Sequence, residues 1–242
     1  MISHRHIDFG WQEYLFIAVF IFIAIASYLN SHQNPIAARK RRDELSKLAQ
    51  RLNLIFNPDE DYELVHQFDF LKKLAQGENR FAYNVLSGKY QSHDMLAFDY
   101  HYEGERQGRN RRSMEYRFSV LILKLPVTFP DLTIRPENFL TKTTEKIGGD
   151  DIKFESAEFS KLFHVCCPDK KFAYDVCNAK MMEYLLVNRD LSIEIENRVI
   201  ALVFDSFVSF HSYLSTDKIE FNLQRLAQIR SLMPQYLFTQ TA

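Results

Sequence analysis

The chain is poor in the residues that build phosphate-cradling loops and flexible linkers. It has only seven glycines and seven prolines among 242 residues, and neither a dinucleotide-binding fingerprint nor a P-loop occurs. The sequence motifs of α/β-hydrolases and of zinc metalloproteases are also absent. Nucleotide binding through a known loop type is therefore not expected, and neither are these two kinds of catalysis.

Cysteine is scarce as well, with three residues in total. Cys166 and Cys167 are adjacent, Cys177 makes the number odd, and no CxxC spacing occurs. This pattern is not a disulfide framework, and it suits a reducing compartment. The formal net charge is −1, so no general field attracts nucleic acid. We expect no cofactor and no nucleic-acid partner.

The chain does contain one long apolar stretch near its N-terminus. No Asp, Glu, Lys or Arg occurs between Tyr14 and Asn34. The 19 residues Trp11–Leu29 would extend about 28 Å as a helix, which matches the hydrocarbon thickness of a bilayer. We therefore predict a single transmembrane helix over residues 11–30, preceded by a tail of residues 1–10.

Basic residues next to this stretch predict its orientation. Four follow it closely, Arg39, Lys40, Arg41 and Arg42, whereas the N-terminal side has only Arg5 and the terminus. The positive-inside rule then places the N-terminus outside and the rest of the chain in the cytoplasm, as in a single-pass protein of the bacterial inner membrane. The alternative is a cleaved signal peptide, because Ala24-Ile25-Ala26 resembles a cleavage site.

The remaining sequence predicts a juxtamembrane amphipathic helix over residues 36–53 and an α+β domain over residues 54–242. The domain is expected to combine a mostly antiparallel sheet with helices, because its strands mostly follow one another directly. Its first half is predicted to contain a helix over Tyr62–Ala75, with an apolar face of Leu64, Val65, Phe68, Leu71 and Leu74. Strands Arg80–Leu86 and Met95–Tyr102 around a turn at Ser87-Gly88 are predicted next, and then a strand Tyr116–Leu125 ended by Pro126 and Pro130.

The second half is predicted to be built from short elements. These are a helix from Pro136 to about Ile147, a helix capped by Ser156, a hairpin of His164–Cys167 with Phe172–Val176, a helix Ala179–Val187 capped by Asn178, a hairpin of Leu191–Ile195 with Val199–Phe204, and a final helix ending near Met233. Gly148–Asp151 is the candidate boundary if the domain has two lobes.

Two groups of residues suggest catalysis or metal binding. The first is the acidic run of Asp150, Asp151, Glu155 and Glu158, which also suits a solvated helix N-terminus. The second is His164 with Cys166, Cys167 and Asp169, a conceivable nucleophile and base. On a strand, His164 and Cys166 share one face and Cys167 faces the other. Cysteines in such strands are more often small core residues.

Two further groups suggest polar surfaces. Arg106, Arg109, Arg111 and Arg112 crowd one loop, with Lys89 on the preceding hairpin, and they suit either phosphate contact or simple solvation. His93, Asp94, Asp99 and His101 lie on predicted strands without the spacing of a metal site, and they are interpreted as surface residues.

Several segments together resemble a bacterial family of uncharacterised proteins. They are Phe98-Asp99-Tyr100, Leu132–Glu137, Asp151–Phe159 and Tyr174–Leu186, and the similarity covers about residues 45–238. The resemblance implies an N-terminal membrane segment and a cytoplasmic domain. It implies no activity and no site residue.

The leading hypothesis is a membrane-tethered protein-binding or scaffold module without enzymatic activity. Its candidate surfaces are the arginine loop at 106–112 and the long C-terminal helix. The alternatives are an enzyme of unrecognised class, such as a hydrolase, and a module that binds anionic lipid through Arg39–Arg42 and the arginine loop. The partners expected are the lipid bilayer and either another protein or a second copy of the chain.

Overall fold

A computed structural model describes residues 35–104, 114–137, 151–204 and 211–239. The chain divides into two units, Met1–Glu44 and Leu45–Ala242. Among the described residues, no helix combines the length and the apolar character that crossing a bilayer requires. The predicted span at 11–30 lies outside them, as does most of the candidate boundary at 148–151.

Helices and strands of varied length are interspersed along the described residues. Residues 35–52 are helical (α1), and the elements after it are β1 Ile55–Asn57, α2 Tyr62–His66, β2 Glu78–Tyr90, β3 His93–Glu103, β4 Glu115–Pro136, α3 Ala157–Leu162, β5 Phe163–Cys166, α4 Lys170–Val176, α5 Ala179–Val187, β6 Ile193–Phe204, β7 His211–Ser212, α6 Thr216–Leu232 and a 3-10 helix Gln235–Phe238.

The described strands form one seven-stranded sheet. Its order is β1-β2-β3-β4-β5, and β6 and β7 also pair with β4. All pairings are antiparallel except the short parallel one between β4 and β7. The predicted α+β class with a mostly antiparallel sheet is confirmed.

Both faces of the sheet are apolar, because buried side chains alternate along its central strands. On β4, Leu121 and Leu123 pack on one face with helices α3 to α6, while Val120 and Ile122 pack on the other face with the segment that follows β1. All four side chains are fully buried. This period of two places helices on both sides of a doubly covered sheet.

The β2–β3 connection lies four residues later than predicted. The turn is at Gln91 and Ser92, both with positive φ (49° and 69°), and Tyr90 pairs with His93 across it. Two positive φ values give the mirror-image turn that suits strand twist. Gly88, which suggested the turn, lies within β2 at φ 145°, where an added Cβ would contact Leu54.

The predicted helix Tyr62–Ala75 is wrong in its second half. Regular helix ends at His66, and successive turns follow, with backbone hydrogen bonds from Phe68 to Val65, from Leu71 to Phe68 and from Leu74 to Leu71. Apolar residues at a spacing of three suit these turns as well as a helix. The buried positions are therefore as predicted, although the helical geometry is not.

Two predicted strand ends are also wrong, because β4 and β6 are each longer. Pro126 and Pro130 do not end β4; instead they lie where its pairing with β6 is interrupted. Likewise, Leu191–Ile195 and Val199–Phe204 do not form a hairpin. Apart from Leu191 and Ser192, they belong to one strand that pairs with β4 from Ile193–Ile134 to Phe204–Ser119.

Between Phe163 and Val187 the predictions are partly confirmed. The Asn178 side chain accepts a hydrogen bond from Met181 N and caps α5, and Ser156 caps α3 in the same way. The predicted strand Phe172–Val176 is instead helix α4, capped by Asp169. Its apolar residues are spaced as on one helical face, which a short segment does not distinguish from a strand.

Candidate functional site

A large opening lies where the pairing of β4 with β6 is interrupted. It is an open groove of about 780 Å³. Its walls come from the segment after α2, the β2–β3 turn, the middle of β4, the bend of β6 and helix α6: Gln67, Phe68, Phe70, Ser92, His93, Asp94, Lys124, Leu125, Pro126, Asn197, Arg198, Val199 and Arg230. We call this cavity the β4–β6 groove.

The groove exists because β4 has a large bulge. Lys124 pairs with Val199, and pairing resumes between Phe129 and Asn197, so residues 125–128 face Arg198 alone. Asn197 adopts a left-handed conformation at this bend (φ 52°).

Arg198 bonds across this interruption. Its Nε donates to the carbonyl oxygen of Leu125 at 3.2 Å, and its Nη2 donates to that of Pro126 at 2.8 Å. The guanidinium thus replaces ladder hydrogen bonds that the bulge removes, as buried backbone acceptors require.

Positive charge dominates the groove. Arg230 lies over the Phe238 ring, with its guanidinium carbon 3.3 Å from the ring centroid, and partial burial lowers the pKa of Arg230. Burial, and then the charge of Arg230, lower the pKa of His93, so this imidazole is mainly uncharged at neutral pH. Lys124 is exposed at the rim, and Asp94 is the one carboxylate in the part of the lining that the structure describes.

A second surface is formed by helices α5 and α6. Buried Arg225 holds Asp190 through two hydrogen bonds of 2.6 and 2.8 Å, while the Asp190 side chain remains 67% exposed. These bonds lower the pKa of Asp190. Phe221, 53% exposed, lies beside the Arg225 guanidinium at 5.2 Å. Val187, at the end of α5, is 85% exposed. We call these four residues the α5–α6 surface.

The predicted His164–Cys166 pair exists, but with a different carboxylate. His164 Nδ1 lies 2.9 Å from Asp151 Oδ1, and His164 Nε2 lies 3.3 Å from Cys166 Sγ. This is the connectivity of a nucleophile, a base and an orienting acid. Cys166 is buried, however, and burial followed by the charge of Asp151 raises the pKa of its thiol.

The other two predicted members of that group lie elsewhere. Asp169 is the N-cap of α4 and accepts a hydrogen bond from Phe172 N. Cys167 is half-buried, and burial raises its thiol pKa to about 11. His164, Cys167 and Asp169 therefore do not form the predicted site.

The acidic run does not converge either, in the part that the structure describes. Asp151 bonds His164 and the backbone N–H of Val165, whereas Glu158 reaches Arg189 at 3.2 Å. Asp150 lies outside the described residues. No group of three or more metal-ligating side chains occurs among the residues described.

The interpretation of the β3 residues as surface residues is half wrong. His93 and Asp94 border the groove, but Asp99 and His101 are buried. Asp99 accepts hydrogen bonds from Asn84 (2.9 Å) and Ser119 (3.1 Å), and His101 stacks on a neighbouring phenylalanine at 4.5 Å. These contacts give Asp99 and His101 packing roles.

Of the two predicted basic clusters, only the one at residues 39–42 lies among the described residues. Arg39, Lys40 and Arg42 are exposed on α1, where Lys40 lies 3.8 Å from Glu44, and Arg41 is half-exposed. Arg106, Arg109, Arg111 and Arg112 all lie outside the described residues.

The sequence did not predict the β4–β6 groove, and of the α5–α6 surface it indicated only the C-terminal helix. Lys124, Arg198 and Arg230 are separated by 106 residues, and only the interruption in β4 brings them to one cavity. The two prolines at 126 and 130 were the available signal, since proline within a strand marks a bulge or an edge.

Comparison with known proteins shows a shared fold. No family model and no curated protein matches the chain. The crystal structure of the mycobacterial trehalose monomycolate transport factor A, TtfA, is similar, with a TM-score of 0.55 and 12% identity over 80% of this chain and 94% of that chain. At this identity the likeness concerns the fold alone, and the resemblance to an uncharacterised bacterial family stays a prediction.

Proposed function

We propose that the chain is a non-enzymatic binding module, tethered to the bacterial inner membrane by residues 11–30, whose partner is another protein. The uncharged apolar stretch and the basic residues Arg39–Arg42 support the tether and its orientation, with the folded unit in the cytoplasm. TtfA, which has a similar fold, is itself named as a transport factor. A tether raises the effective concentration of the module for neighbours in the same membrane.

The α5–α6 surface is the observation that carries this proposal. Exposed aromatic side chains beside arginine are enriched where proteins bind each other most strongly. Arg225 is buried and holds Asp190 in one orientation, so the exposed carboxylate is presented to a partner with little loss of side-chain entropy. The C-terminal helix α6 offers only part of its circumference to a partner, since seven of its 17 residues are buried.

Capture from native membranes tests this proposal. The full chain, tagged and expressed at its native level, is crosslinked in cells, solubilised and purified, and its partners are identified. We expect Phe221→Ser and Val187→Ser to reduce recovery of a specific protein at least tenfold. Ile55→Ser is the matched control, because Ile55 is an apolar residue of strand β1 with 72% exposure. Recovery of nothing but the chain itself, or equal recovery with all three variants, refutes the proposal.

One observation favours an enzyme instead, namely that His164 contacts both the Asp151 carboxylate and the Cys166 thiol. If His164 activates Cys166, the alkylation rate of Cys166 by iodoacetamide shows an inflection near neutral pH, and His164→Gln removes it. If Cys166 is only a packed residue, alkylation is slow and follows a thiol of raised pKa in both proteins. We expect the second result, because Cys166 is 4% exposed.

A further inference from the structure

We propose that the β4–β6 groove binds the phosphate ester group of an amphiphilic ligand. This site is separate from the α5–α6 surface and from the basic residues next to the predicted membrane span. It depends neither on the tether nor on a protein partner.

The net positive charge of the groove favours the binding of an anion. Among the described lining residues, three permanent cations, Lys124, Arg198 and Arg230, face a single carboxylate, Asp94, which leaves a surplus of two positive charges. None of these three cations has an ion pair among the residues that the structure describes. A phosphate monoester, with a charge close to −2 at neutral pH, matches that surplus better than a single carboxylate.

Arg230 is positioned to bond such a group. It lies over the Phe238 ring at 3.3 Å, so one flat face of the guanidinium is occupied. Its N–H donors lie in the guanidinium plane and remain available for bidentate contact with phosphate oxygens. Arg198 is held by the two β4 carbonyls through Nε and Nη2, which fixes its position and leaves Nη1 for the ligand.

The size and the walls of the groove indicate a larger ligand than phosphate. Its volume of about 780 Å³ lies in the range of pockets that hold small organic molecules. Phe68, Leu125 and Val199 are buried side chains that border it, and Phe70 is half-buried there. A ligand with a phosphate at one end and an apolar portion at the other satisfies both parts of the lining.

Titration of the full chain in phosphatidylcholine nanodiscs tests the proposal. The probe is dihexanoyl phosphatidic acid, and calorimetry measures its affinity against empty nanodiscs. Dihexanoyl phosphatidylcholine has the same acyl chains without net charge, and glycerol 3-phosphate has the phosphate without acyl chains. We expect the first to bind at least tenfold more tightly than either control. Tightest binding of glycerol 3-phosphate instead identifies a soluble phosphate ester as the source and excludes the apolar part of the proposal.

Variants separate the groove from non-specific attraction. Lys124→Gln and Arg230→Gln each weaken binding roughly tenfold, as expected for loss of a charged hydrogen-bond donor. Asp94→Asn strengthens binding, so the proposal is tested even if one substitution impairs folding. Lys180→Gln, an exposed cation on α5 outside the groove, leaves the affinity unchanged. The proposal is overturned if the Asp94 variant binds no better, or if only neutralising Arg39–Arg42 weakens binding.

Discussion

Removing Arg135 from its buried ion pair is expected to destabilise the folded unit strongly. Arg135 on β4 donates from Nη2 to Glu194 Oε1 on β6 at 2.6 Å, and each side chain is only 9% exposed. Arg135→Met keeps an unbranched apolar side chain but leaves the Glu194 carboxylate buried without its cation. Breaking such a pair on one side costs about 3–5 kcal/mol of the free energy of unfolding.

The double variant Arg135→Met with Glu194→Met gives the opposite expectation. With both charges gone, no buried ion is left uncompensated, and the loss of stability falls to about 1 kcal/mol or less. The two substitutions are therefore strongly non-additive, with a coupling free energy of at least about 2 kcal/mol. Lys171→Met is the control, because the Lys171–Asp175 pair on α4 has 78% exposure of the lysine and contributes about 0.5 kcal/mol or less.

Urea unfolding of the full chain in a mild detergent, followed by circular dichroism, measures these differences. The slope against urea is expected to stay constant, so the midpoint reports stability directly. A loss below about 1 kcal/mol for Arg135→Met alone would show that the pair behaves as a surface contact. Equal losses for the single and double variants would show that packing, and not the uncompensated charge, is responsible.

Three further predictions concern stability and thiol chemistry. Burial, and then the charge of Arg117, lower the pKa of His101 in the folded chain. The unfolded chain therefore binds more protons than the folded chain as the pH falls below 6.5. The stability that His101 contributes above pH 6.5 is lost as the pH falls through the pKa of the folded state. His101→Phe should flatten that dependence in urea midpoints between pH 7.5 and 5, and an unchanged slope contradicts the assignment. Gly77→Ala should cost more than about 2 kcal/mol in the same assay, because φ is 72° and the added methyl would meet the Glu103 carbonyl; a neutral effect rules this out. Native alkylation followed by mass spectrometry should leave Cys177 unmodified, since it is 2% exposed and burial raises its thiol pKa; labelling at the rate of the denatured chain refutes this.

Positions of buried residues were easier to predict from the sequence than the elements that carry them. Phe68, Leu71 and Leu74 were correctly placed on an apolar face, yet they lie in successive turns instead of a helix. Helix α4 was read as a strand because seven residues with three apolar ones fit both periods. The helix caps at Ser156 and Asn178 were predicted correctly, since they depend on a local hydrogen bond.

The sequence did not predict contacts between segments that are far apart along the chain. His164 and Cys166 share a strand face, so their proximity followed from spacing alone. Asp151 was assigned to a separate acidic run, because only the packing of residues before α3 against β5 brings it to His164. Arg225 and Asp190 similarly meet through the packing of α5 and α6, which local patterns do not encode.

The length of β4 determines how the folded unit unfolds. Its first half pairs with β3, its second half pairs with β5, and β6 runs beside both. Neither end of the sheet can separate while the other stays intact, because strands β4 and β6 run through both ends. Heat or denaturant should therefore melt residues 45–239 in one step, and proteases should find no stable fragment made of either half alone.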